Sequence, residues 1–106
     1  MKIFVPYIHI PNTYCQYYKS GGAGSCEDGS SFDDVWQLCE DDGPEVCMGV
    51  MWSSCEGPTS DITVNGAWHL MKAGQEVGDA DNPTDTCGGK EQAEGHWDVF
   101  IRKGDK

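Results

Sequence analysis

Six cysteines in 106 residues, at positions 15, 26, 39, 47, 55 and 87, constrain this chain more than any other feature it carries. Their separations are 11, 13, 8, 8 and 32, with no Cys-x-x-Cys, so the spacings of zinc knuckles, zinc ribbons and thioredoxin-like redox sites are absent. Such a set reads as a disulfide framework, which a domain of this length uses to supplement a modest core. Disulfides in turn imply an oxidising compartment, so the expected location is extracellular, secreted or at the cell surface. The apolar run in Met1 to Ile10 is too short for a signal-peptide core and is interrupted by Pro6 and His9, so the chain reads as mature or trimmed. No apolar run approaches the length of a membrane span.

Two of the cysteines flank the best-signed element. Ser31 is placed to cap a helix with Asp34 at its N3 position, and Asp33 and Asp34 lie where the helix dipole favours negative charge. Phe32, Val35, Trp36 and Cys39 fall at i, i+3, i+4 and i+7, with Leu38 beside them, which predicts a buried stripe about two turns long. Glu40, Asp41 and Asp42 oppose the dipole at the far end, and Gly43-Pro44 stops the helix. Beyond the turn, Val46, Met48, Val50 and Trp52 alternate with Cys47, Gly49 and Met51, the pattern of a central strand covered on both faces. Cys39 and Cys47 then lie where the helix stripe meets that strand, which predicts a bridge between them stabilising by about 2 to 3 kcal/mol.

The remaining segments are read by their turn chemistry and period. Residues 1–11 form an apolar arm or edge strand, carrying Ile3, Phe4, Val5, Tyr7, Ile8 and Ile10, and residues 12–106 form the domain proper. Pro6 cannot donate to a ladder, which assigns the arm to an edge beside the closing Trp97 to Ile101 strand or to a neighbouring copy. Tyr14, Tyr17 and Tyr18 cluster around Cys15 either as packing at the end of the domain, the favoured reading, or as a contact patch. GGAGSCEDGSS at 21–31 has loop composition. Asn65-Gly66 predicts a two-residue hairpin turn that returns Ala67 to Lys72 against Asp61 to Val64. A polar, glycine-rich loop from Ala73 to Gly95 is anchored by Cys87. The closing strand alternates Trp97, Val99 and Ile101 with Asp98 and Phe100, so one face is clearly buried. One helix on a mainly antiparallel sheet of about five strands is a small, disulfide-rich α+β domain.

The helix ending in Leu38-Cys39, the acidic turn, Cys47-x-Gly49-Val50-x-Trp52 and Cys55 resemble the core of the PAN/apple domain family, and His96 to Arg102 resembles its last strand. This resemblance implies the same α+β fold and a module that recognises proteins or carbohydrates. Many members carry a further helical cysteine where this chain has Val35, leaving Cys55 without its usual partner and Cys26 as the substitute. The family's nested ordering then implies Cys26 with Cys55 and Cys15 with Cys87, while Cys15 with Cys26 stays open as an alternative.

The net charge is −11, and no Lys or Arg stands between Lys19 and Lys72, where ten Asp and Glu fall. Such a charge disfavours nucleic acid as a partner and keeps the surface soluble, or else attracts a cationic partner or calcium. Asp79, Asp81 and Asp85 alternate as oxygen donors for a hard cation, but without an EF-hand's central Gly, closing Glu or flanking helices they read as a solvated loop, and no metal or cofactor is expected. His9, His69 and His96 are scattered and read as strand residues rather than zinc ligands. No nucleophile elbow, phosphate loop or nucleophilic cysteine context occurs, so the chain reads as a non-enzyme. Trp36, Trp52, Trp68 and Trp97 are mostly core by period, with Trp68 a candidate, beside Tyr14, Tyr17 and Tyr18, for stacking on a sugar. The expected function is a binding module for a protein or glycan; the alternative is a subunit that assembles with copies of itself into a polymer or filament through the apolar arm.

Overall fold

The computed structural model describes residues 7–11, 13–21, 26, 31–57, 59, 61–78, 84–87, 91–92 and 95–102. Its helix, α1 (Phe32–Asp42), starts where local chemistry says it should. The Ser31 side chain accepts from the Asp34 amide while the Asp34 carboxylate accepts from the Ser31 amide, a complete capping box. Gly43 ends the helix at φ 91°, its amide donating to the Cys39 carbonyl. Val35, Trp36 and Cys39 are buried, Phe32 is partly so, and Leu38 lies outside the stripe, exposed. Because the cap is exposed and isolated, Ser31→Ala is expected to cost about 1 kcal/mol, seen as a melting temperature lowered by roughly 4–8 °C.

The strands β1 (Tyr7–Ile10), β2 (Tyr17–Gly21), β3 (Cys47–Ser54), β4 (Gly66–Lys72) and β6 (Gly95–Arg102) form an antiparallel sheet in the order β1-β6-β3-β4-β2, with the two-residue β5 (Glu91–Gln92) paired to the start of β6. This is the small disulfide-rich α+β domain expected, with α1 packed on one sheet face. β3 is central, as its apolar run requires, but the strand begins at Cys47 and Val46 lies exposed in the turn before it. A bulge between Cys47 and Gly49 breaks simple alternation. Cys47, Val50 and Trp52 therefore join Val35, Trp36, Cys39, Trp68, Leu70 and Phe100 on the helix side, while Met51 joins Cys15, Met71, Cys87 and Val99 on the other.

Both faces of β6 are covered, where the sequence pattern suggested one. Phe100 and Asp98 are buried toward the helix side and Val99 toward the other. The second cover is the segment around Cys15 and Cys87, whose bridge lies in that core. Gln75 ties it down, accepting from the Gln16 amide at 3.0 Å and donating to the carbonyls of Gln16 and Lys72 at 2.8 and 2.6 Å. Arg102 closes the helix side, with one guanidinium nitrogen 3.3 Å from Glu40 and another donating at 3.3 Å to the Cys47 carbonyl. The bridges pair Cys39 with Cys47, Cys26 with Cys55 and Cys15 with Cys87.

The expected 61–72 hairpin does not form. The Asp61 carboxylate accepts from the Thr63 amide and hydroxyl at 3.1 and 2.6 Å, and the Val64 amide donates to the Asp61 carbonyl, closing a turn where a strand was read. β4 pairs instead with β3 and β2. Gly66 is not among the described glycines at positive φ; a Cβ there would stand 2.1 Å from the Trp52 indole nitrogen, so glycine serves close approach rather than a hairpin turn. β2 was not foreseen either, because Tyr17–Gly21 has no clean alternation; a register irregularity between Tyr17 and Lys19 explains why.

Candidate binding surfaces

A groove of about 560 Å³ opens between the first turn of α1 and the 61–65 turn, lined by Ser31, Phe32, Asp33, Ile62, Thr63, Val64 and Asn65. Phe32, Ile62 and Val64 pack against the helix-side core and form its apolar floor. Ser31, Asp33, Thr63 and Asn65 supply polar groups around it. The two loops are held by their own chemistry: Asp34 is occupied by the capping box and Asp61 by Thr63, which holds the Asp61 carboxyl below its ordinary range. Asp33 carries no such tie among the described residues and is exposed. Sequence reading assigned these seven residues to a cap, a core stripe and a hairpin; the Asp61-x-Thr63 pattern was the available sign of a turn instead.

Aromatic residues proposed from sequence for contact are distributed differently. Trp68 is only 2 % exposed and lies in the helix-side core against Phe32, Trp52 and Phe100, so it offers no ring face to a ligand. Tyr18 packs on the same core and donates its hydroxyl to Asp42 at 2.5 Å. On the opposite face, Tyr17 stacks on His69 at 4.3 Å, His69 lies 5.4 Å from Trp97, and Tyr14 lies 5.1 Å from Trp97. Only the Tyr17–His69 pair is stacked, the other two being tilted, so the row is aromatic packing along this face, with Tyr17 42 % exposed at the sheet edge.

Burial, then the hydrogen bond to Asp42, then that carboxylate's charge push the Tyr18 hydroxyl well above its ordinary range. Burial and the neighbouring Tyr17 raise Tyr14. Asp42 is held below the usual carboxylate range by hydrogen bonds from Tyr18 and Lys19. A raised folded-state value means stabilisation that is complete below the ordinary tyrosine range near pH ~10 and is lost as pH climbs through the folded values. Alkaline titration followed by phenolate absorbance is therefore expected to show late components that move to lower pH on unfolding, one of them absent in Tyr18→Phe.

Of the arm residues, Ile3, Phe4 and Val5 lie outside the described residues. Tyr7, Ile8 and Ile10 stand in β1, paired to β6 of the same sheet, so the described part of the arm is an integral edge strand. Tyr7 packs against Phe32, Trp36 and Phe100; His9 stacks on Phe100 at 4.4 Å and meets the buried Asp98 carboxylate at 2.7 Å. Asp79 and Asp81 lie outside the described residues and Asp85 is exposed; among the described residues no group of three or more His, Cys, Asp or Glu is arranged to hold a metal. His69 is kept below its ordinary range by burial, and the His96 side chain is outside what is described. Among the described residues no helix is long and apolar enough to cross a membrane.

Fold and surfaces thus define a small, three-disulfide α+β domain with an open groove beside its helix. Comparisons with protein-family models, with curated proteins and with solved structures find no match.

Proposed function

We propose that this chain is an extracellular, non-catalytic binding module of PAN/apple type that recognises a protein or a carbohydrate. The observation that carries the reading is the groove between α1 and the 61–65 turn, whose apolar floor and polar rim suit a ligand group held without chemistry being done on it. Three disulfides in so short a chain support an oxidising location. The sequence resemblance to PAN/apple domains supports the same class of function. A glycan array and a panel of extracellular proteins, run on a sample whose mass is followed by light scattering, test it. Saturable binding by the monomer, weakened by Ile62→Ser, is expected; no ligand from either class would count against the module.

One observation favours a second reading, a subunit joined through its arm into a polymer or filament. β1 precedes Cys15, so it lies outside every loop the three bridges close, and Tyr7 and Ile8 on it are more than 40 % exposed. Strand exchange onto the β6 of another copy would repeat the same pairing between molecules. Deleting Met1 to Ile10 tests this: assemblies that persist undiminished after the deletion would remove the arm as the connector.

A further inference from the structure

We infer that the groove beside α1 receives a cationic side chain, lysine or arginine, from an apolar peptide segment of a partner protein. This rests on the binding-module reading and commits it to one class of ligand. Every residue lining the groove falls between Lys19 and Lys72, the interval that contains no Lys or Arg. No basic group from that whole stretch is available to neutralise the rim. Of the carboxylates beside it, Asp34 is turned back into the capping box through Oδ2 and Asp61 onto Thr63 through Oδ1, so each is oriented by its own loop. Asp33 is lining, exposed and without a hydrogen-bonding partner among the described residues.

The floor has the shape of the other half of such a side chain. Phe32, Ile62 and Val64 present apolar surface on which the methylene stem of lysine or arginine lies while its charged head stays at the wet rim. Thr63 and Asn65 add side-chain acceptors at the rim. An anionic glycan meets the wrong sign of charge here. A neutral sugar leaves Asp33 unused and needs an open ring face, whereas Phe32 is already packed against Tyr7, Trp36, Trp68 and Phe100.

Four acetylated, amidated peptides of one length, with Arg, Lys, Gln or Glu at the centre of a leucine-flanked sequence, provide the test, read by amide chemical shifts of the intact protein. The Arg and Lys peptides are expected to move the amides of Ser31, Phe32, Thr63, Val64 and Asn65, and to bind at least tenfold more tightly than the Gln peptide. Asp33→Asn is expected to lower their affinity at least fivefold, with loss on raising salt. Asp41→Asn removes the same charge from the other end of the helix and is expected to change affinity less than twofold. Equal binding of the Arg and Gln peptides, an Asp33→Asn effect no larger than that of Asp41→Asn, or shifts confined to other residues would overturn the inference. A glycan or protein found to bind elsewhere on the domain would overturn it too, while leaving the module reading intact.

Discussion

Gly49→Ala is expected to destabilise the domain by roughly 3 kcal/mol or more, lowering its melting temperature by more than about 12 °C. A Cβ at this position would lie 2.2 Å from the Phe100 carbonyl oxygen and 2.9 Å from the Ile101 Cα. Both are backbone atoms of β6, and β6 is paired to β3 across Gly49 itself. Neither can step aside without breaking the ladder at the middle of the sheet. The bulge between Cys47 and Gly49 adds to the constraint, since the Cys39 and Cys47 sulfurs sit 3.6 and 3.2 Å from the Gly49 carbonyl oxygen. Gly66→Ala is expected to rank next, because its added methyl meets the buried Trp52 indole and the Ser53 carbonyl. Urea unfolding of both variants under non-reducing conditions measures this. A Gly49→Ala protein within about 1 kcal/mol of the parent would refute the close approach of β3 to β6.

Removing the Cys15–Cys87 bridge by double alanine substitution is expected to be the costliest of the three disulfide losses. The chain-entropy relation, applied to sequence separations of 72, 29 and 8, gives about 4.4, 3.6 and 2.5 kcal/mol for Cys15–Cys87, Cys26–Cys55 and Cys39–Cys47. Cys15 and Cys87 are, like Cys39 and Cys47, at most 1 % exposed, and they hold the segment covering Met51, Met71 and Val99. Hydrogen exchange is therefore expected to rise first at the Thr13 amide, which donates to Trp97, and at the Gln16 amide, which donates to Gln75. If the Cys39–Cys47 pair proves costlier to remove, packing in the folded state outweighs loop closure in this domain.

The sequence by itself determined what is decided within a turn or two of chain. Ser31 and Asp34 start the helix, Gly43 stops it, and Val35, Trp36 and Cys39 mark its buried stripe, because caps, dipole and period act between residues three or four apart. The run after Cys47 identified a central strand because a strand covered on both faces has no room for charge. Cys39 and Cys47 belong to the same short unit, eight residues apart. The tertiary structure decided what depends on partners far away in the chain. Asn65-Gly66 carries a hairpin signal, yet Gly66 answers to the Trp52 indole; the turn chemistry of Asp61 and Thr63 removed the strand that signal needed. Tyr17–Gly21 becomes a strand only because β4 offers it an edge, and the buried Asp98 carboxylate meets His9, which β1 brings from 89 residues away. The groove has the same origin. Ser31, Phe32 and Asp33 are local to the helix start, but Ile62 to Asn65 reach them through the bend that follows β3, a juxtaposition no periodicity encodes. Side-chain alternation in β3 holds from Val50 to Trp52 as its pattern implies, whereas the bulge at the start of the strand puts Cys47 on the same face as Val50, since one extra residue in a strand of period two exchanges the faces on its two sides.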